Sequence, residues 1–296
     1  MSRAVAISGI SVLTGHGPGL VSLANAEGLR TRLGEIPLRE VLKERAPRRL
    51  DRVSEIAVVA GAQALSDSGR THQPMSGQES ERSGVFFATS YGNLSGTIVF
   101  LQKLHDKGPR FASPLDFPNL VLSAPTGSLS IQFGLRGELM AFNQNELCGV
   151  QALCAAYEAL GSGRLDLALC VAAEEMGAAR DACATLAVGA LGEGGGAVVL
   201  EAREAEVMLA GVGFAGGTKA LAEACARACG GAEVDVVIGG AGLSLAPRIG
   251  FIDGHGIIDA AYATHLVRTK RARSVLVCAG EPGNAAAVWI KSGIAT

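Results

Sequence analysis

The residues best placed for chemistry lie in Gly137 to Gly161, GELMAFNQNELCGVQALCAAYEALG. An apolar run, Leu139-Met140-Ala141-Phe142, leads into a polar corner, Asn143-Gln144-Asn145-Glu146. From Leu147 the apolar positions Val150, Leu153/Cys154, Tyr157 and Leu160 recur at helical spacing, and Gly161-Ser162-Gly163 ends the pattern. A strand, a sharp corner and an apolar helix are the layout in which many α/β enzymes hold a nucleophile, because a helix N-terminus stabilises negative charge. The corner residue is Glu146, a group able to act as acid, base or fixed charge. A thiol follows at Cys148, but two residues at a helix start span about 200°, so it should point away from the direction of Glu146. Cys148 therefore reads as a packing residue first and a displaced nucleophile second, and Cys154 as core.

The elements that must hold this corner follow from the rest of the chain. Hydrophobic residues make up 48%, charged residues 18% and aromatics 4%, with 40 glycines, a composition of tightly packed helices on buried sheets. A net charge of −2 gives no reason to expect nucleic acid as a partner. No apolar run approaches the roughly 18 residues of a membrane span. The start, MSRAVAISGISV, has no signal-peptide layout and reads as a strand. The seven cysteines (148, 154, 170, 183, 225, 229, 278) show no CxxC pairing and read as free thiols of a reducing cytoplasm.

Strands are expected near 4–10, 84–89, 166–173, 197–200, 206–213, 234–238, 274–278 and 286–290. Helices are expected over 51–69, 94–105, 147–161, 218–229 and 255–268, with a weaker helical run reaching Phe133. Residues 27–50 read as irregular and 70–82 as a surface loop. The Gly-rich pieces 15–19 and 192–196 lack a Gly-Lys-Ser/Thr ending and read as turns, so neither a nucleotide cofactor nor a metal is expected. Buried β-branched runs alternating with helices imply an α/β fold. The element order β-α-β-α-β-β occurs twice, which implies two pseudo-duplicated halves, 1–202 and 203–296, in one compact unit, the second abbreviated.

Several stretches, taken in order, resemble the β-ketoacyl synthases, condensing enzymes of fatty acid and type II polyketide synthesis. They are AVAISGISVLTGHG, DRVSEIAVVAGAQALSDSG, SLSIQFGLRG, CGVQALCAAYEALGSGRLDLALCVAAEE and GEGGGAVVLE, followed by GFIDGHGIIDAAYATHLV and SVLVCAGEPGNAAAVWIKS. The resemblance implies a thiolase-like layered αβαβα fold. It also implies a site in which a Cys, two His and a Lys carry the condensation. At those positions this chain has Glu146 for the nucleophilic Cys, Gly239 for the first His and Gly250 for the Lys; His255, in Gly-His-Gly at a helix start, is the one retained group. In the gating loop, around Glu281 and Gly283, Glu281 replaces a Phe. Phe100, Phe111, Phe117 and Leu122 fall where the family lines its acyl tunnel and subunit interface.

The resemblance therefore points to a non-condensing subunit like a chain-length factor. Such a subunit pairs with a full-length ketosynthase and meets the acyl carrier protein through the complex. Two alternatives stand beside it. One is an enzyme of altered chemistry in which Glu146 and His255 decarboxylate a malonyl-carrier protein; the other is a non-catalytic homodimeric scaffold. Glu146 can also be read simply as a cap on its helix.

Overall fold

The computed structural model describes residues 3–293 except 26, 48, 72, 185–189, 250, 251 and 253. The first strand, β1 (Ala6–Thr14), turns into β2 (Gly17–Pro18) and is followed by three helices: α1 (Leu20–Ala24), α2 (Leu38–Leu42) and α3 (Arg52–Asp67). Next come α4 (Gly77–Glu81), β3 (Ser83–Ala88), α5 (Leu94–Lys107), α6 (Ala124–Phe133), β4 (Leu139–Phe142) and α7 (Cys148–Gly161). The strand β5 (Leu167–Glu174), the helix α8 (Ala178–Ala184) and the strands β6 (Gly194–Glu201) and β7 (Val207–Gly216) lead into the second half. That half continues with α9 (Ala220–Cys229), β8 (Val236–Ile238), α10 (Ala246–Ile249), α11 (His255–Arg268), β9 (Ser274–Glu281) and β10 (Asn284–Ser292). Among the described residues no helix is long and apolar enough to cross a membrane.

The strands follow the order β4-β3-β5-β6-β1-β7-β10-β9-β8. The path is thin in the middle: β1 meets β7 in the single register pair Ala6↔Met208, next to Leu209 N–H donating to Val5 O at 3.0 Å. On either side of that joint the order repeats, β1-β6-β5-β3-β4 and β7-β10-β9-β8, each with antiparallel pairs near the joint and parallel pairs toward the edge. Among the described residues the edge strand β4 has no counterpart in the second half.

Side-chain alternation along each strand sorts the core into layers. In β3, Val85 and Phe87 face α3 and α6, while Phe86 and Ala88 face the central cluster with α7 and α11. In β9, Val275 and Val277 face that same central cluster, while Leu276 and Cys278 face α9. The layers thus run α3/α6, sheet, α7/α11, sheet, α9, the five-layer αβαβα arrangement expected. Both outer helices rest on glycines in the first strand of their half. A Cβ on Gly9 would stand 2.1 Å from Ala64 O of α3, and one on Gly213 would stand 1.9 Å from Ala224 O of α9.

Three expectations change. Residues 192–196 are not a turn, because Gly194–Gly196 are the start of β6, wedged between two layers. A Cβ on Gly195 would meet Ile56 Cγ2 at 2.7 Å on the α3 side, and one on Gly196 would meet Ile258 Cγ1 at 3.0 Å on the α11 side. The stretch 70–82 contains the short helix α4, whose Ser80 is buried and hydrogen-bonds Gly134 O. The irregular stretch 27–50 contains α2, which buries Leu38 and Leu42.

Candidate active site at the junction of the central helices

The N-termini of α7 and α11 touch because both are built from glycine. A Cβ on Gly149 would lie 2.5 Å from Gly254 O, and one on Gly256 would lie 2.8 Å from Val150 N. Glu146, in the 3₁₀ turn Asn145–Leu147 that feeds α7, and His255, the first residue of α11, therefore reach one cavity of about 130 Å³. Gly239, Gly240, Leu245 and Asp259 also line it. The cavity is close in size to the ~150 Å³ engineered cavity that takes up benzene, so it holds a small group and not a long acyl chain. Both helix N-termini aim their partial positive charge at this point, which suits a carboxylate at Glu146.

His255 is held from behind. Its Nδ1–H donates to the buried Asp259 Oδ2 at 2.8 Å, one helical turn along α11. The carboxylate partner fixes the ring and puts the proton on Nδ1. Asp259 escaped the sequence reading although its i, i+4 spacing from His255 was there to be seen. It sits in the apolar run Ile257-Ile258-Asp259-Ala260-Ala261, which reads as a core helix face.

Gly239, which the resemblance aligned with the family's first His, has no room for a side chain. Its φ is +88°, and a Cβ would stand 1.9 Å from the carbonyl oxygen of Cys278. The missing imidazole is thus a property of the backbone as well as of the residue type. Gly250 lies outside the described residues. Glu146 does not cap α7, since the helix follows the 3₁₀ turn directly and has no side-chain cap hydrogen bond.

Cys148 is fully buried in the central cluster, its Sγ donating to Asn145 O at 3.1 Å, and it does not line the cavity. Cys154 is also core, its thiol pushed up by burial. Glu281 and Gly283 lie elsewhere. Glu281 closes β9 with its Oε1 buried, and Gly283, at φ +87°, turns the chain into β10 beside a groove with Leu221.

Phe100 packs obliquely on Phe117 at 6.2 Å between ring centroids. Phe111, Phe117 and Leu122 are exposed, as are Leu139 and Met140 on β4. β4 hydrogen-bonds β3 on one side and forms the end of the sheet on the other. An apolar flank thus continues into an open strand edge, a surface that single soluble chains avoid.

Comparison with known proteins agrees with this geometry. The family model described as the β-ketoacyl synthase N-terminal domain matches residues 38–191, more than half of the chain. The chain belongs to the β-ketoacyl synthase family. It is 29% identical over 136 residues to 3-oxoacyl-[acyl-carrier-protein] synthase 2 of Vibrio cholerae, covering 46% of this chain and 32% of that protein. It is 30% identical over 96 residues to the enzyme of the same name from Staphylococcus aureus, covering 32% of this chain and 22% of that one. The matches thus span a third or less of these relatives' length.

Among solved structures, the ishigamide ketosynthase/chain length factor superposes with a TM-score of 0.83 at 14% identity, covering 99% of this chain and 100% of that one. A type II polyketide synthase acyl-carrier protein in complex with its ketosynthase gives 0.80 at 17% identity, with the same coverage. At such identities the likeness establishes the thiolase-like fold.

Proposed function

We propose that the chain is a non-condensing, ketosynthase-like subunit that pairs with an active β-ketoacyl synthase and helps shape its acyl tunnel in type II polyketide or fatty acid biosynthesis. The observation that carries this reading is Gly239, where the backbone leaves no space for the imidazole that a condensing site requires. With Glu146 in place of a thiol, no acyl-thioester can form at the corner. The partner would be a full-length ketosynthase, docked on the open edge of β4 and the apolar flank of Phe111, Phe117 and Leu122. Acyl carrier protein would be met through that complex.

Decarboxylation of a malonyl thioester by Glu146 and His255 is the less favoured reading. The cavity is lined by two carboxyl side chains, Glu146 and Asp259, and carboxylates in a small site oppose binding of a malonyl carboxylate.

Co-expression with an intact ketosynthase tests the first reading. A stable 1:1 complex is expected, lost on Met140→Glu, which places a charge on the edge strand. A well-behaved homodimer that ignores the ketosynthase would sink it. Incubation with malonyl-loaded carrier protein tests the second: malonyl loss that is faster than in Glu146→Ala and His255→Ala would reinstate catalysis.

A further inference from the structure

Two carboxylates at the cavity between α7 and α11 have acceptor capacity that the fold leaves unused. The Asp259 side chain is 5% exposed, and its Oδ2 accepts from His255 Nδ1–H at 2.8 Å. Its other oxygen, Oδ1, takes no hydrogen bond among the described residues, and the residue lines the cavity. Glu146, half-buried on the same cavity, likewise accepts no hydrogen bond among the described residues. A carboxylate oxygen withdrawn from water without a donor is costly, so the arrangement calls for a ligand that brings donors.

The balance of charge sets the sign of that ligand. Among the described residues no lysine or arginine lines the cavity, and its charged groups are Glu146, Asp259 and His255. The N-termini of α7 and α11 each supply about half a positive charge, so two carboxylates leave the cavity about one charge negative while the imidazole is neutral. Leu243, Leu245, Ala246 and Ile249 make much of the remaining wall apolar, which suits carbon and not a bare ion. The volume of about 130 Å³ admits a group of only a few heavy atoms. We propose that the cavity binds a small organic cation, a primary ammonium on a short alkyl chain. Its N–H donors would meet Glu146 and Asp259 Oδ1, and its carbons would lie against the apolar wall.

Such a ligand is independent of the proposed pairing with a ketosynthase. The cavity is built within one chain, so binding and pairing can each fail without the other. Water can fill an empty acceptor and a neutral alcohol can fill apolar space, but only a cation also answers the charge. The preference is opposite in sign to that of a malonyl site, because a ligand carboxylate would face two carboxylates of the protein.

The test titrates the purified whole chain with butylammonium chloride, butanol and sodium butyrate, each followed by saturation-transfer NMR. Saturable binding of butylammonium is expected, with butanol and butyrate at least about tenfold weaker, the worth of one charge-assisted hydrogen bond. Glu146→Gln and Asp259→Asn should each weaken butylammonium by about tenfold, and the double variant should abolish its binding. Glu223→Gln, on the exposed side of α9, should leave it unchanged. Butanol bound as tightly as butylammonium would mean apolar space only, and a preference for butyrate would mean a site of the opposite sign. Binding indifferent to both cavity variants would put the cation on the outer surface. Each of these overturns the proposal, as does the lack of saturable butylammonium binding. If Asp259→Asn folds poorly, Glu146→Gln decides, because that side chain gives the fold no hydrogen bond among the described residues.

Discussion

Restoring the lost condensing residues should fail, and the reason is geometric. The perturbation is Gly239→His, alone and combined with Glu146→Cys. Residue 239 has φ +88°, and a non-glycine residue held there costs roughly 1–2 kcal/mol. Its Cβ would stand 1.9 Å from Cys278 O, a backbone atom fixed in β9 between β8 and β10. Displacing such an atom is an overpacking change of about 1–3 kcal/mol. The sum, about 2–5 kcal/mol, is a large share of the ~5–15 kcal/mol that holds a folded chain together. Chemical denaturation of Gly239→Ala isolates the cost of the Cβ, and Gly239→His adds that of the ring. Both midpoints should fall. Glu146→Cys with Gly239→His should gain no condensation with acyl- and malonyl-carrier proteins. A Gly239→His variant with an unchanged midpoint, or a double variant that condenses, would refute the argument.

Two further perturbations test how the frame is held. Arg52 Nε and Nη2 donate to Glu193 at 2.5 and 2.9 Å, and the Glu193 side chain is only 2% exposed. Arg52→Ala would leave that carboxylate with only its backbone donors, Leu33 N–H and Met176 N–H, so a loss of about 3–5 kcal/mol is expected in denaturant unfolding. Asp166 is held down to about 2, first by the hydrogen bond from Arg82 and then by Arg3. Because its folded value lies below the ordinary 3.8, its contribution is present above pH 3.8 and is lost as pH falls toward 2. Asp166→Asn should therefore flatten stability against pH in that window and leave the slope above pH 5 unchanged, as read by thermal melts at a series of pH values.

Much of the frame was legible because it depends on local pattern. The helix over 51–69 appears as Arg52–Asp67, capped by Asp51, whose side chain accepts from Ser54 N–H. The helix over 255–268 appears with those same ends. What local pattern could not show is what glycine does in a buried layer. Gly195 and Gly196 look like a turn in sequence, yet their missing side chains are what let α3 and α11 close on β6 from opposite sides. The short polar helix α4 has no apolar period to announce it. The pairing of His255 with Asp259, four residues apart, could by contrast be read from spacing.

The persistence of the corner without its thiol has a physical cause in the same glycines. Gly149 and Gly256 let the N-termini of α7 and α11 touch, and those helices fill the central layer with Val150, Leu153, Ile257 and Ala260. A side chain at either of these glycines would push the helices apart and open the core from its centre. Glu146 and Gly239 stand at the rim of that contact, and their side chains bear little of the packing. Glu146 is half-buried at the cavity, and position 239 contributes only backbone. A side chain such as that of Glu146 can therefore change without cost to the fold. The helix junction beneath it cannot, because a Cβ at Gly149 meets a backbone carbonyl at 2.5 Å.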